Sequence, residues 1–453
     1  MRDIKEQFIE LVLDIVEKIK QKIELEKIKP EIEEVFDYDI EIKSSENSTN
    51  VKTTSKKIFV KNCNRIIWNI LSDDVFKSNK FLDLVTNIDT FGKEYLQKLY
   101  HSNGSHSVIF FFKQYLFRLL NQILKFGFNK EELITDIDLL KKELSEGIIK
   151  YNIRYFIFRL YLESDSLEIY PNVFLRKPLV KDFKTFLMQL SPFSLYPRKT
   201  PELVLEIDEF FSDDLKAQTL GINIMRFLRL YTNTNAYYFY SETVKKSILY
   251  LGYSPQNYNI IPLHMEKYII RKNEEKLLKK FISILLEQNQ KISQKSSHLK
   301  IKIALDKFEE AMFQDFRFIK KLSNAVIGLE TLYMLDEEEK GIKSTLSKRI
   351  AEIISCITGN YDDISKIIGR LYFFRSKDLH GNIIKKEWEE EILKLTYIAL
   401  EYLRVSLIIF LCSIEKETPL DILLKDKTDH KNELKKLIFT ISKHLDYTFD
   451  ILV

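Results

Sequence analysis

Apolar residues at Ile4, Phe8, Leu11, Val12, Ile15 and Ile19 recur with a period near 3.6 and leave a charged opposite face, which predicts an amphipathic first helix. The polar run from Lys43 to Lys57 contains one large apolar residue, Val51, too little to offset the entropy of ordering. A flexible linker or loop is expected there. Helical patterning resumes at Arg65 to Leu71 and dominates Val108 to Leu144, with Gly127 as the expected terminator.

The texture changes at Arg154. Tyr155 to Leu162 and Leu167 to Leu175 are rich in aromatic and branched residues, with Glu163 to Ser166 supplying turn chemistry between them, a pattern that predicts a β-hairpin. Glu202 to Ile207 and Ala236 to Tyr240 are two further strand candidates, and a small mixed sheet with flanking helices follows. The Gln/Ser/Lys-rich stretch from Glu287 to Ser297 reads as a boundary. Beyond it, stripes through Ile301, Leu305 and Phe308 and through Leu322, Val326 and Leu329 each require a partner helix.

The next helix is expected to start at Ser344 or Thr345 and to stop at Gly359. Another runs from Asp362-Asp363 to Phe374, a long one from Lys385 to Cys412, and a last one from Lys431 to His444. The chain therefore reads as mainly α. Residues 1–150 form a mainly helical region, 151–295 a mixed α/β region, and 296–453 a bundle of five or six helices.

Composition narrows the function. The 453 residues carry 70 Lys+Arg against 66 Asp+Glu, a net charge of +4, so any nucleic-acid site must be a local feature. The 3 cysteines, Cys63, Cys356 and Cys412, are far apart, contain no CxxC pair and read as packing thiols of a reducing compartment. The N-terminus interleaves acidic residues where a secretory signal needs an apolar run, and Val108 to Phe128 is interrupted by Lys113, Arg118 and Lys125. A cytoplasmic protein with no membrane span is expected. There is no Gly-rich phosphate loop, HExxH or GxSxG, which sets aside ATP-driven, zinc-protease and α/β-hydrolase chemistry.

One segment offers chemistry. Leu371 to Asn382 (LYFFRSKDLHGN) places Arg375 and His380 five positions apart with Ser376 between them. Chance supplies an Arg-x4-His at a frequency of roughly 0.2 per chain of this composition, so the spacing alone decides nothing. The flanking helices add context. ALDKF (304–308), NAVIGLETL (324–332), LSKRIAEII (346–354) and YFFRSKDLHG (372–381), in this order, resemble the Apea-like HEPN family of prokaryotic ribonucleases. FLRKPLVKDF (174–183), PELVLEI (201–207) and RFLRLY (226–231) resemble the region that often precedes that domain, and residues 1–140 carry no such resemblance.

The resemblance implies a HEPN helical bundle and a metal-independent endoribonuclease acting in anti-phage defence or toxin-like growth arrest. It implies no cofactor, an RNA substrate, and a homodimer in which two Arg/His motifs face one cleft. The change of texture near residue 297 adds the expectation that the upstream 295 residues sense a trigger, restrain the nuclease or help select RNA. A non-catalytic HEPN module that binds RNA or protein through the same groove is the alternative.

The residue types suit cleavage, because an imidazole exchanges protons near neutrality and a guanidinium presents a planar fork to phosphate oxygens. His380 is accordingly expected to do acid/base work and Arg375 to bind phosphate and stabilise charge. Five residues turn a helix through about 500°, which leaves the two side chains about 140° apart. Their convergence needs a helix break, eased by Gly381, or a second subunit. Ser376 either orients Arg375 or caps a helix, and Glu330 either pairs with Arg349 or sits exposed. His101 and His106 flank SNGS in what reads as an exposed loop, and the basic runs Lys56 to Lys61 and Lys431 to Lys436 read as solvated faces.

Overall fold

The structure, a computed structural model, describes residues 2–25, 31–45, 48–62, 67–68, 71–92, 108–126, 129–182, 201–232, 236–247, 253–257, 267–292, 296–313, 317–338, 340–381, 385–415, 417–425 and 430–449. Helices dominate, and a small β-sheet lies mid-chain. Helix α1 (Arg2–Leu25) buries the stripe expected of it, Phe8, Leu11, Val12 and Ile15. It packs on α2 (Asn79–Phe91), α3 (Val108–Phe126) and α4 (Lys130–Glu146). The apolar helix α3 is one-sided: Phe112, Leu116 and Leu120 are buried among its neighbours while Phe110 faces solvent.

The polar run from Lys43 to Lys57 is not a linker. Strands β1 (Glu31–Ser45) and β2 (Ser48–Asn62) pair antiparallel over their whole length, with Ile40 opposite Thr53 and Ile42 opposite Val51. The sequence reason lies upstream of the run, where Phe36, Tyr38, Ile40 and Ile42 alternate with polar residues at the period of a strand.

Strand β3 (Ile149–Phe158) is central in a six-stranded antiparallel sheet. On one side stand β7 (Leu203–Phe211), β6 (Val173–Arg176) and β5 (Ser166–Tyr170); on the other, β8 (Tyr237–Lys246) and β9 (Tyr253–Asn257). The expected hairpin between 155–162 and 167–175 does not form. Instead β5 and β6 make a hairpin within Leu167 to Leu175, turning at Asn172 with φ 59°, a conformation that asparagine tolerates. Arg159 breaks β3 at φ 64°, and β4 (Leu160–Leu162) leaves to pair in parallel with β10 (Tyr268–Ile270). The main sheet is thus wholly antiparallel, and the parallel pairing is separate from it.

Helix α5 (Asp214–Thr232) crosses β3 and β7, and Gly221 permits the approach, because a Cβ there would collide with the Tyr155 ring. The buried hydrophobic residues from Ile149 to Phe449 form one cluster, so sheet and C-terminal helices share a core, while those from Phe8 to Leu144 form another. Charged pairs reinforce the shared core: Arg226 meets Asp306 at 2.6 Å and Arg229 meets Glu309 at 2.5 Å, tying α5 to α7 (Ser296–Phe313).

The C-terminal helices are α6 (Glu275–Gln290), α7, α8 (Phe318–Tyr333), α9 (Ile342–Thr358), α10 (Tyr361–Leu379), α11 (Glu389–Cys412), the short α12 (Pro419–Leu423) and α13 (His430–Leu445). Among the described residues one segment, Lys386–Cys412, is long and apolar enough to cross a bilayer, and 83% of its apolar window is packed inside the fold. It is the core helix of the bundle, against which α7 and α8 pack.

Candidate functional site

The candidate site lies where α10 packs on α8, with the start of α11 beside them. Helix α9 closes at Gly359, whose φ of 82° is left-handed, and α10 follows with Asp362 and Asp363 in its first turn, where carboxylates oppose the positive helix end. Neither Ser344 nor Thr345 is the N-cap of α9. That position belongs to Gly341, and Ser344 donates back to the Gly341 carbonyl at 2.8 Å from inside the first turn. Helix α10 also continues past Phe374, because RSKDL holds no breaker; it stops at His380, next to Gly381 at φ 65°. Arg375, Ser376 and Asp378 are therefore helical.

Arg375 points back onto α8. Its Nη2 donates to Glu330 Oε2 at 2.7 Å, with side chains 22% and 14% exposed, and its guanidinium lies 5.5 Å from the Tyr372 ring centre. Glu330 Oε1 and Arg375 Nε are buried with no hydrogen-bond partner among the described residues, so the pair is only partly satisfied. Burial pushes the Glu330 carboxyl above its usual range, and the charge and hydrogen bond of Arg375 offset only part of that.

This shift has a sign for stability. The folded state binds the Glu330 proton more tightly than the unfolded state, so the group's contribution is complete below the ordinary value of 4.5 and is lost as pH rises through the raised folded value. Relative to Glu330→Gln, the wild-type chain is expected to lose stability as pH climbs above 4.5 and through the raised folded-state value. Urea denaturation of both proteins across that range measures it, and parallel curves would contradict the assignment.

A second anchor lies one turn on. Asp378 accepts from Ser323 Oγ at 2.7 Å and pairs with Lys320 at 2.9 Å, fixing the end of α10 to the start of α8. His380 projects beyond this clamp, exposed, its backbone N–H donating to the Ser376 carbonyl at 3.1 Å. Its ring has no hydrogen-bond partner among the described residues. Arg375 is thus engaged by Glu330 and Tyr372 and not by His380, as the helical angle between the two requires within one chain.

No protein-family model, curated protein or solved structure matches this chain. What the site can do follows from its own residues. It offers a solvent-facing imidazole at a helix end and a guanidinium held a turn and a half back by a buried carboxylate. A cleft of about 780 Å³ reaches Gly381, the residue after His380, and its lining mixes Arg317, Lys320, Asp378, Glu389 and Glu390 with the apolar Phe318.

The other expected residues are placed differently. Glu330 does not pair with Arg349. Arg349 donates to the Tyr333 carbonyl at 2.7 Å and to both Glu338 oxygens at 2.6 Å, closing the α8–α9 connection instead. Ser376 is partly exposed, contacts neither Arg375 nor His380 through its hydroxyl, and caps no helix. Cys356 and Cys412 are half-buried and in no disulfide, and burial pushes the Cys356 thiol up, away from nucleophilic chemistry. His430 Nδ1 lies 2.7 Å from the Ile422 carbonyl, a structural contact. Cys63, His101, His106, Gly127 and the side chains of Lys56 to Lys61 lie outside the described residues. Sequence reasoning missed the Lys320–Asp378–Ser323 clamp, because Asp378 stands 55 positions from Ser323 and no local pattern joins them.

Proposed function

We propose that this chain is a HEPN-type, metal-independent endoribonuclease, as its resemblance to the Apea-like family implies. The observation that carries the reading is the exposed His380 imidazole at the C-terminal end of α10, beyond an Arg375 on the same helix that is held by the partly buried Glu330 of α8. His380 takes the proton from a ribose 2′-OH as that oxygen attacks phosphorus. The 2′-O–P bond forms, the P–O5′ bond breaks, and the leaving 5′-oxygen takes up a proton from water. Arg375 offsets the extra charge on the non-bridging oxygens. The products are a 2′,3′-cyclic phosphate and a 5′-hydroxyl.

Since one chain holds Arg375 and His380 on different sides of α10, the reading places the reaction in a homodimer, with the two groups at each cleavage site drawn from different protomers. The biological setting that fits is cytoplasmic RNA cleavage in phage defence or growth arrest, with residues 1–295 sensing the trigger. The Glu330–Arg375 pair favours a second reading, a non-catalytic HEPN module binding RNA or protein, because a guanidinium held by a carboxylate is a poorer phosphate ligand. Incubating the purified chain with mixed RNA in EDTA separates the two. Fragments ending in 2′,3′-cyclic phosphate are expected; intact RNA at concentrations where the chain dimerises favours the binding module.

A further inference from the structure

On the face of α10 that meets α9 lies an open groove of about 1030 Å³ whose walls carry Lys343, Lys348, Lys366 and Arg370 and no carboxylate. Against a whole-chain charge of only +4, four cations around one depression are a local concentration. Lys343 and Lys348 are exposed and pair with no carboxylate among the described residues. Lys366 stands 3.7 Å from Asp363 on the surface, and Arg370 is paired with Glu391 at 2.6 Å while covering Phe373 and Phe374.

The groove is built for polar contact. Ser344, Ser347 and Ser365 line it, and Lys343 of α9 reaches across to Gly369 of α10. At one end Tyr372 and Phe373 present half-buried rings, and Tyr372 is the ring over which Arg375 lies. The basic track therefore ends beside the proposed phosphate ligand.

We propose that this α9–α10 groove holds the phosphodiester backbone of single-stranded RNA and leads it to Arg375. Lysines and serines contact phosphates, and Tyr372 offers a base-stacking surface, the combination by which single strands are held without sequence preference. The concave wall suits a strand better than a flat lipid surface. The proposal rests on the ribonuclease reading for its substrate, and its test is independent of cleavage.

The probe is a fluorescein-labelled single-stranded oligouridylate of about 15 nucleotides, titrated with full-length His380→Ala protein so that it stays intact. Adding Lys343→Glu and Lys348→Glu is expected to raise Kd by about 10-fold or more and to flatten the log Kd against log salt slope by about 1.4. Lys276→Glu with Lys280→Glu, two exposed lysines of α6 outside the groove, should change Kd by less than about twofold. The neutral pair Lys343→Gln and Lys348→Gln should give an intermediate loss, which a misfolded protein would not. Unchanged binding in the groove variants, equal losses in groove and α6 variants, or no binding by the His380→Ala chain would each overturn the proposal. If the groove variants lose binding while wild-type protein never cleaves RNA, the ribonuclease reading fails and the groove stands.

Discussion

His380→Ala is expected to lower RNA cleavage by about 10²- to 10⁴-fold, the usual contribution of a positioned general acid or base. The same change should leave folding stability within about 0.5 kcal/mol of wild type, because the ring is exposed and makes no hydrogen bond among the described residues. That separation of activity from stability is diagnostic. Arg375→Ala should also abolish cleavage, but it strips Glu330 of its partner and leaves a buried carboxylate, so a stability cost of about 1–3 kcal/mol accompanies it. Initial rates on labelled RNA, read beside urea midpoints for the same preparations, give both quantities. Full cleavage by the His380 variant would refute the assigned role.

Arg404→Ala is expected to be the most damaging single change to the fold, at about 3–5 kcal/mol. Arg404 is 2% exposed and fully engaged. It donates to both Glu401 oxygens at 2.8 and 2.6 Å, to the Leu230 carbonyl at 2.6 Å and to the Tyr447 hydroxyl at 2.7 Å. Removing it strands the Glu401 carboxylate in an apolar core, unseats the last carbonyls of α5, and frees the C-terminal segment at once. Since this guanidinium joins α11 to α5 inside the core shared by sheet and bundle, both should unfold together at a lower urea midpoint. The double change Arg404→Met with Glu401→Leu should recover most of the loss, because it removes the stranded charge as well. A single-variant loss below about 1 kcal/mol would show that the network is dispensable.

Much of the C-terminal architecture was legible because it is periodic. The stripes Ile301–Leu305–Phe308 and Leu322–Val326–Leu329 are buried as a 3.6-residue period demands, and Gly359 ends α9 as its left-handed φ requires. The errors cluster where local rules compete with distant ones. Glu163 to Ser166 had the composition of a turn, yet the hairpin forms at Asn172, inside a segment that reads as one strand. The polar run from Lys43 to Lys57 pairs with a strand whose alternation lies upstream of it.

At the candidate site, Arg375 and His380 stand out in the sequence, and the partners that Arg375 meets do not. Glu330 stood out as an acid in an apolar helix, but whether Arg349 or Arg375 faces it depends on how α8, α9 and α10 are rotated, which no local spacing encodes. The groove was hidden for a similar reason. Its cations come from two helices, at 343 and 348 and at 366 and 370, and never form a run that a charge scan would notice, whereas Lys431 to Lys436 does form one.

The reading of the chain as a nuclease requires Arg375 of one protomer to serve His380 of the other. Complementation tests this most directly. Arg375→Ala and His380→Ala chains, each inactive alone, are co-expressed with different tags and the mixed dimer is isolated by both. Such a dimer retains one intact guanidinium and one intact imidazole on opposite chains, and so is expected to regain a substantial fraction of wild-type RNA cleavage in EDTA. A mixed dimer as inactive as either parent would contradict the account.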